Sequence, residues 1–412
     1  MKKSPFLTKI LTVIPSLCFI LGATFAVAEN TPTEEAPFRV GIIGTDTSHV
    51  PAFVKLFNAK DAKGDYKKVE IVAAVKGGMP DNESSWGRKD KYAVEIAPKG
   101  VTIYKTIEEM LPNVDGVMVE SVDGRPHLEM ARPVLEAGKP VFIDKPMGGN
   151  LWEVLEIFRI AEEKNVPVFS ASSLRYSVGT QQVRNASPYG ETHGVDAWSP
   201  CHLNEAHPDF YWYGVHGVET LFTMMGPGCV SVSRTSAPNY DLAVGLWENG
   251  KIGTFRGIRA GNASYGGMVF GSKSVSMTGK YDGYKPLADE ICKFFLTGKS
   301  PIDPRETLEI MAFMTAADAS KAQNGAHVTL EAVITAAKAQ KVQTFTVTLS
   351  ENGTVTLDGK TLTLEELKEK LTKNVPEAYY RVILDNTAGA TDEVVQNVLI
   401  NLGDAVFVRY LY

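Results

Sequence analysis

The feature that most constrains this chain is an alternation of short apolar runs and helical stretches between residues 38 and 173. The apolar runs have the composition of buried parallel strands. They are "FRVGIIG", "VEIVAAV", "DGVMVES", "PVFIDKP" and "VPVFSASS". Helical segments such as "HLEMARPVLEAG" separate them. Because strands that alternate with helices form parallel α/β sheets, we expect such a sheet in a first domain over residues 37–150.

The pattern changes after about residue 175. Short β segments with Gly and Asn turns are followed by the helical segments "PLADEICKFFLTG" and "RETLEIMAFMTAADASKAQNG". This order predicts a second, α+β domain over residues 151–340 with an open, mainly antiparallel sheet. The alternation and turn signals in the remaining residues, 341–412, predict a small ββαβαβ module. The fold class is therefore α/β overall.

The N-terminal segment has the pattern of a secretory signal peptide. Three lysines precede an apolar run over residues 10–27, which ends in Ala26-Val27-Ala28. This small-x-small end is typical of a cleavage site, so we expect residues 1–28 to be removed and the protein to be periplasmic or secreted. An uncleaved anchor helix is the alternative, because the run approaches the length that spans a bilayer.

Charge and cysteine content exclude some classes of function. The formal net charge of -6 at pH 7, without a basic stripe, argues against a nucleic-acid surface. After the predicted signal peptide the chain keeps Cys201, Cys229 and Cys292. Three widely spaced cysteines do not form a disulfide framework, and we predict no bridge.

The segment "VGIIGTDTSH" (residues 40–49) has the position of a dinucleotide-binding turn, in which glycines let the backbone approach a diphosphate at a helix N-terminus. The candidate cofactor contacts in this turn are Gly41, Gly44, Thr45, Asp46, Thr47 and Ser48. Asp46 adds a negative charge where a glycine is expected, whereas the hydroxyls of Thr47 and Ser48 are donors and helix caps. A capped strand-to-helix turn without a ligand is the alternative.

Three further strand ends carry candidate residues. Lys76 follows the second strand, where an acidic residue usually holds the adenosine ribose. A lysine there favours the 2′-phosphate of NADP, and a surface residue without a ligand is the alternative. Lys145, in "FIDKP", lies at the edge of the sheet where ligands bind and can contact a substrate hydroxyl or a nicotinamide ribose. Arg125 and His127 follow another strand end and are candidates for the same cleft.

The segment "SPCHLNEAHPDFYWYGVHG" is the richest in ligand-type residues. It contains Cys201, His202, His207 and His216, but their spacing fits no standard zinc pattern, and we predict no metal. Its aromatic run ends in Trp212 and Tyr213, and such rings suit stacking against sugars. A buried aromatic cluster is the alternative reading.

Together these segments resemble the Gfo/Idh/MocA family of oxidoreductases over residues 38–335. The motifs are "GIIG", "VDGVMVES", "HLEMARPVLEAGKPVFIDKP" and "YGVHGVETLFTMMGPG", and the family's Glu-Lys-Pro signature reads Asp144-Lys145-Pro146. The resemblance implies a Rossmann domain that binds NAD or NADP and a second domain with an open sheet. It also implies a sugar or polyol substrate and a homo-oligomer built on that sheet.

The family's second motif falls on "WYGVH" (residues 212–216), with Trp212 in the place of the family's Asp. The resemblance implies that His216 transfers a proton, with Lys145 as its partner, and the near-neutral pKa of imidazole suits this role. The candidate substrate contacts are Arg125, His127, Trp212, Tyr213 and Glu219. A structural histidine at a helix start is the alternative for His216.

The last segment resembles the periplasmic domain of ExbD/TolR transport proteins. The matching parts are "VTLSENGTVTLDGKTLTLEELKEKLT" and "YRVILDNTAGATDEVVQNVLINLG". The resemblance implies an interaction or dimerisation module with an envelope protein partner through residues 341–412, and it agrees with a bacterial envelope location.

The sequence therefore predicts an exported NAD(P)-dependent oxidoreductase that acts on a sugar or polyol, with Lys145 and His216 as the catalytic pair. Two alternatives remain open. One is a non-redox carbohydrate-binding or scaffold protein that has kept the fold but lost cofactor binding. The other is NAD-assisted hydrolysis or elimination of a glycoside, in which the cofactor is recycled.

Overall fold

The computed structural model describes residues 36–373, 379–385, 389–402 and 406–411. The predicted signal peptide, residues 1–28, lies outside these ranges. Within them, no helix is both long enough and apolar enough to cross a membrane. The cysteines at positions 201, 229 and 292 are all buried and unpaired.

The first sheet is parallel, as the strand–helix alternation predicts. Its strands are β1 (Phe38–Ile43), β2 (Val69–Val75), β3 (Thr102–Tyr104), β4 (Gly116–Val119), β5 (Val141–Asp144) and β6 (Val168–Ala171). The helices in this part are α1 (His49–Phe57), α2 (Glu83–Trp86), α3 (Lys89–Ile96), α4 (Ile107–Met110), α5 (His127–Glu136) and α6 (Leu151–Lys164). The strand order is β3-β2-β1-β4-β5-β6. It is the Rossmann order, in which ligands bind where the direction reverses, beyond the carboxyl ends of β1 and β4.

This sheet extends beyond residue 150. β6 pairs in parallel with β5, with Val141 opposite Val168 and Asp144 opposite Ala171. All four residues of β4, β5 and β6 are buried in each strand, which explains their continuous apolar composition. The carboxyl end of β6 therefore contributes to the same edge of the sheet as β1, β4 and β5.

The second sheet has seven strands. They are β7 (Thr192–Pro200), β8 (Cys229–Ala237), β9 (Tyr240–Trp247), β10 (Ile252–Ile258), β11 (Gly266–Gly271), β12 (Val275–Met277) and β13 (Val328–Thr329). The helices are α7 (Val178–Ala186), α8 (Asp209–Trp212), α9 (Val215–Met225), α10 (Lys285–Thr297), α11 (Pro304–Ala322) and α12 (Leu330–Ala339). The order is β12-β11-β7-β10-β9-β8-β13. The sheet is mixed, because β7 and β10 pair in parallel while its other pairs are antiparallel.

Helix α10 packs against the first sheet, although it follows the strands of the second. Its Phe294 ring lies 4.8 Å from the ring of Phe169 in β6, and Phe169 in turn contacts Phe142 in β5. Leu287 and Ile291 of the same helix are fully buried in this cluster. The sequence pattern predicted the helix but not its partner, because an apolar helix face does not specify which sheet it covers.

The third sheet forms the C-terminal module. Its strands are β14 (Val342–Leu349), β15 (Val355–Leu357), β16 (Lys360–Leu362), β17 (Tyr379–Asp385) and β18 (Val406–Leu411), and its helices are α13 (Leu364–Lys373) and α14 (Asp392–Leu402). The strand order is β16-β15-β14-β17-β18. The module has one strand more than predicted, because Asp358 and Gly359 take positive φ and turn the chain between β15 and β16. Val347, Leu384 and Val395 are fully buried in its core.

Candidate functional site

A cavity of about 230 Å³ lies at the carboxyl edge of the first sheet. Its lining comes from the segments that follow β1, β4, β5 and β6, from α8 and α9, and from three tyrosines. Its lining residues are Thr47, Ser48, His49, Arg88, Val122, Lys145, Ser173, Leu174, Trp212, Tyr213, His216, Tyr265, Tyr281 and Tyr284. The predicted pair Lys145 and His216 thus lines one cavity, although 71 positions separate the residues in the chain.

Lys145 is placed by the end of β5. Oδ1 of Asp144 accepts a hydrogen bond from the backbone N–H of Lys145 at 2.8 Å, and the Lys145–Pro146 peptide bond is cis. The lysine side chain is almost buried but lines the cavity. Burial alone would raise the pKa of Asp144, but the positive charges of His49 and Lys145 outweigh it and lower this pKa to about 2. Asp144 therefore stays ionised and fixes a negative charge beside the ammonium.

His216 lies in the first turn of α9. Its Nδ1 lies 2.8 Å from Oγ of Ser172, just beyond β6, and its ring contacts the rings of Tyr213 and Tyr265. Enclosure by protein lowers its pKa well below the usual range, and the positive charge of Lys145 lowers it further. The imidazole is therefore neutral near pH 7, and it is available as a proton acceptor.

The altered turn after β1 keeps its first glycine. Gly44 has a φ of 91°, and a Cβ atom there would lie 2.6 Å from the backbone nitrogen of Ser121. Only glycine therefore fits this turn. Counted from Gly44 in the spacing G-x-G-x-x-G, Asp46 occupies the second glycine position and His49 the third.

The Asp46 carboxylate faces the protein interior. It is fully buried, and its Oδ2 accepts hydrogen bonds from Oγ of Ser85 at 2.6 Å, from Oγ of Ser121 at 3.2 Å and from the backbone N–H of Val122 at 3.2 Å. Burial raises the pKa of Asp46 to about 6 against these hydrogen bonds, which lower it. Asp46 thus ties the turn after β1 to the segment after β4, and it is not among the residues that line the cavity.

Of the remaining residues of the turn, some support the fold from within the protein and others line the cavity. Thr45 is buried, and its Oγ1 donates to the backbone carbonyl of Lys89 at 2.8 Å. Thr47 and Ser48 line the cavity at the start of α1, which has no acidic residue in its first turn. Gly41 lies inside β1, where a Cβ atom would lie 2.8 Å from Sδ of Met110. Gly41 therefore serves strand packing rather than the turn.

Arg88 is a cavity residue that sequence reasoning missed. It precedes α3 and lines the cavity together with Thr47 and Ser48. Its Nε is buried and has no hydrogen-bond partner among the described residues. An anion between the guanidinium and the start of α1 would satisfy this donor. The turn has thus lost two glycines, but the site offers a cation for a diphosphate.

Lys76 and the two candidates after β4 lie outside the cavity. Nζ of Lys76 lies 2.9 Å from Oδ1 of Asp90, and both side chains are exposed. Arg125 forms ion pairs with Asp81 at 2.8 Å and Asp123 at 2.7 Å. These pairs hold two loops together.

His127 is fully buried. Its ring nitrogens lie 2.8 Å from the backbone carbonyl oxygens of Pro146 and Ser121. It therefore orders the loops after β4 and β5 from within the protein, and the structure does not bring it to the cavity.

The residues of the second motif also fall into two groups, because some line the cavity and others are buried elsewhere. Trp212 and Tyr213 line the cavity next to His216. Glu219, one turn further along α9, is buried and paired with Arg175, which also reaches Glu306 at 2.6 Å. Glu219 therefore belongs to a buried ion cluster. His207 is buried with its Nε2 2.9 Å from Oδ1 of Asp123.

A second polar cluster lies beside the cavity, and sequence reasoning missed it as well. His49, Glu120 and Asp144 bring one ligand-type atom each to within 4.8 Å of one another. Glu120 is fully buried, and neither of its carboxylate oxygens has a hydrogen-bond partner among the described residues. Burial raises the pKa of Glu120 well above its usual range, and the neighbouring negative charge of Asp144 raises it further.

Spacing alone did not reveal the missed residues. Arg88, Tyr265, Tyr281 and Tyr284 come from loops that only the tertiary fold brings to the cavity. Glu120 had a usable signal, because a lone carboxylate directly after the apolar run "GVMV" lies at the ligand-binding edge of a parallel sheet. His49 had the signal of a bulky residue at a glycine position of the turn.

Comparison with known proteins agrees with this architecture. Residues 38–172 match the family model GFO_IDH_MocA, described as oxidoreductase family, NAD-binding Rossmann fold. An uncharacterised protein of Saccharomyces cerevisiae, YMR315W, is 25% identical over 173 residues, which are 37% of this chain. The chain spans only 42% of the length of that curated relative.

Solved structures show the same fold. A scyllo-inositol dehydrogenase from Lactobacillus casei with bound NAD(H) and scyllo-inositol has a TM-score of 0.58 at 13% identity, over 72% of this chain and 99% of that one. A myo-inositol 2-dehydrogenase from Lactobacillus plantarum has a TM-score of 0.57 at 17% identity, over 71% of this chain and 99% of that one. Residues 38–172 therefore form a Rossmann-like domain that matches the NAD-binding model of the Gfo/Idh/MocA oxidoreductase family.

Proposed function

We propose that this protein is an NAD(P)-dependent oxidoreductase that acts on a hydroxyl group of a sugar or polyol. The observation that carries the proposal is the placement of Lys145 and His216 in one cavity at the ligand-binding edge of the family's Rossmann sheet. A neutral imidazole and an ammonium together suit alcohol oxidation, since one group accepts the hydroxyl proton and the other stabilises the oxygen.

His216 is the proton acceptor in this proposal. Ser172 holds Nδ1 of the ring at 2.8 Å, so Nε2 is the nitrogen left for the substrate hydroxyl. The low pKa of His216 keeps the ring neutral before reaction. Lys145 donates a hydrogen bond to the substrate oxygen and stabilises the negative charge that develops when the proton leaves.

The cofactor residues follow from the same cavity. Thr47, Ser48 and the start of α1 would hold the diphosphate, with Arg88 as its cation. The buried, unpartnered Nε of Arg88 fits an anion there, and Asp46 does not oppose one because its carboxylate is turned inward. When bound, the nicotinamide accepts hydride from the substrate carbon. The pairing of Lys76 with Asp90 supplies no support for a preference between NAD and NADP.

The substrate class rests on the aromatic wall. Trp212, Tyr213, Tyr265, Tyr281 and Tyr284 border the cavity. Aromatic faces stack against the C–H faces of sugar and polyol rings, while the tyrosine hydroxyls bond ring hydroxyls. The inositol dehydrogenases with the same fold act on polyols by their reported names, which supports this class.

The test measures whether the full chain reduces NAD⁺ or NADP⁺ when it is given a panel of inositols, aldoses and glycosides. The absorbance of the reduced nicotinamide is the readout. The account expects turnover with at least one cyclic polyol or sugar, and its loss in Lys145→Ala and His216→Ala. Matched controls are Lys293→Ala on the exposed face of α10 and His193→Ala on the exposed side of β7, which should keep the activity. Dinucleotide binding without turnover on any substrate, or turnover that survives both site variants, would refute the proposal. Glycoside cleavage without net reduction would point to the NAD-assisted alternative.

We make three further proposals, which concern export, the C-terminal module and the oligomeric state. We propose that residues 1–28 direct export, so the protein works in the periplasm or outside the cell; the lysines and the Ala-x-Ala sequence support this. We also propose that residues 341–412 form an ExbD/TolR-like interaction module and that the second sheet supports a homo-oligomer. Exposed Val275 and Met277 on β12 and Ile252 on β10 give that sheet apolar surface for a second copy.

A further inference from the structure

The cluster of His49, Glu120 and Asp144 lies at the cavity wall, and the proposed hydroxyl chemistry uses only the negative charge of Asp144 beside Lys145. Its members come from three places at one edge of the sheet: the start of α1, the residue after β4 and the last residue of β5. One nitrogen and two carboxylate oxygens approach to within 4.8 Å of one another. The fold therefore brings three ligand-type side chains, one from each of three separate segments, close to one point.

Glu120 is held in place without side-chain partners. Its backbone N–H donates to the carbonyl of Ile43 at 2.8 Å, which continues the pairing of β4 with β1. The side chain is 0% exposed, and neither carboxylate oxygen meets a donor among the described residues. A buried carboxyl group without hydrogen bonds is costly, and a bound cation is one partner that would offset this cost.

The contact between His49 and Asp144 points to the same partner. Nδ1 of His49 and Oδ2 of Asp144 lie 2.7 Å apart. Despite this distance, neither atom meets hydrogen-bond geometry with any described residue. Both atoms lie within 4.8 Å of a carboxylate oxygen of Glu120, so one ion placed between the three side chains would contact all of them.

The charges favour a divalent cation. Two carboxylates converge beside one ammonium, that of Lys145, which also faces the cavity. A bound dication would stabilise the ionised form of both carboxyl groups by displacing any proton from Glu120, and it would leave Lys145 for the substrate. Imidazole and carboxylate ligands are typical of Zn²⁺ and Mn²⁺, whereas Mg²⁺ and Ca²⁺ prefer oxygen ligands alone.

We propose that His49, Glu120 and Asp144 bind one divalent transition-metal ion. His49 also lines the cavity, so the ion lies at the cavity wall, and three protein ligands leave a coordination position open. Binding of the ion can be measured independently of the proposed oxidoreductase activity, because it needs neither nucleotide nor substrate.

The test uses the full chain, dialysed against a chelator and titrated with Zn²⁺ and with Mn²⁺ by calorimetry, without nucleotide. The proposal predicts one ion per chain and a rise in the unfolding temperature that the chelator reverses. Glu120→Gln keeps the shape of the side chain but removes its charge, and it should weaken binding at least about tenfold. The matched control is Glu153→Gln, a buried carboxylate outside the cluster, which should bind like the wild type.

A second variant protects the test against misfolding. If Glu120→Gln does not fold, His49→Gln replaces it, because the His49 side chain is 12% exposed at the cavity wall and tolerates change better. Absence of stoichiometric binding to the wild type would overturn the proposal. Equal affinity in the wild type and the folded cluster variant would also overturn it, since the ion would then bind elsewhere. Failure of the redox assay leaves these outcomes unchanged.

Discussion

Nδ1 of His49 lies 2.7 Å from Oδ2 of Asp144, so a residue at a glycine position of the cofactor turn contacts the residue that precedes Lys145. This contact joins the end of β1 to the end of β5 across β4, which lies between them in the sheet. The turn has therefore not simply lost its glycines. Its replacement side chains connect the cofactor side of the cavity to the side that carries the proposed chemistry.

The structure of the turn predicts the behaviour of Asp46→Gly, which restores the second glycine. Because the carboxylate faces inward, the variant should not bind dinucleotide more tightly than the wild type. It removes three accepted hydrogen bonds and should lower the free energy of unfolding by about 1–3 kcal/mol, measured by urea denaturation. Markedly tighter binding in the variant would mean that Asp46 opposes the diphosphate after all.

Arg88→Ala should weaken dinucleotide binding. The guanidinium lines the cavity with Thr47 and Ser48, and loss of a charge-assisted hydrogen bond to phosphate costs about 1.5–3 kcal/mol, or roughly ten- to a hundredfold in Kd. Titration with NAD⁺ and NADP⁺ measures the effect. The matched control is Arg159→Ala on the exposed face of α6, which should leave Kd unchanged. Equal affinity in Arg88→Ala and wild type contradicts a role for Arg88.

Lys145→Met should abolish most turnover while sparing the cofactor. Methionine keeps the length of the side chain but loses the ammonium that would stabilise the substrate oxygen, and we expect kcat to fall about 10²-fold or more. Dinucleotide affinity should change less than about tenfold, because Arg88 and the start of α1 supply the phosphate contacts. A variant with wild-type kcat would remove Lys145 from the mechanism.

The low pKa of His216 gives a pH prediction. The folded protein holds the ring neutral below the usual imidazole pKa of 6.5, so the base form persists to lower pH than in a free histidine. The acid limb of the kcat/KM profile that belongs to His216 should therefore fall below pH 6.5, and His216→Gln should remove it. A limb at or above pH 6.5 that disappears in this variant would contradict the neutral, enclosed imidazole.

Glu153 predicts how stability depends on pH. Burial raises its pKa from 4.5 to about 8, against the hydrogen bond from the Gly149 N–H. Because the folded pKa is raised, the group costs no stability below pH 4.5, and stability is lost progressively as pH rises towards 8. Glu153→Gln should flatten this loss in urea unfolding measured across that window. An unchanged slope would show that Glu153 ionises in the fold as easily as in the unfolded chain.

The sequence predicted the parallel sheet from five apolar runs, and β4, β5 and β6 are buried on both faces, as such runs indicate. It missed β3, whose three residues are exposed or half-buried. It also predicted Lys145, since a residue that follows such a strand lies at the ligand-binding edge. His216 came from the family resemblance, and the structure places it in the same cavity. The mixed pairing of β7 with β10 was not predictable, because strand direction in a sheet is set by distant partners.

One physical reason explains why several candidate residues lie outside the cavity. Arg125, His127 and Glu219 sit near the expected cleft in sequence, but each is engaged by a buried partner that the sequence does not reveal. Asp46 shows the opposite case, since its charge predicts repulsion of a diphosphate from the sequence, whereas in the structure its carboxylate points inward. Side-chain direction at a turn depends on tertiary hydrogen bonds and not on residue type.

The most direct test of the central claim is the nucleotide content and nucleotide affinity of the full chain. Purified protein is denatured, the supernatant is analysed by mass spectrometry, and NAD⁺ and NADP⁺ are titrated in parallel into nucleotide-free protein. The account predicts one dinucleotide per chain, either released on denaturation or bound on titration. Neither release nor binding of NAD⁺ or NADP⁺ would contradict the oxidoreductase proposal and favour a protein that has kept the fold without the cofactor.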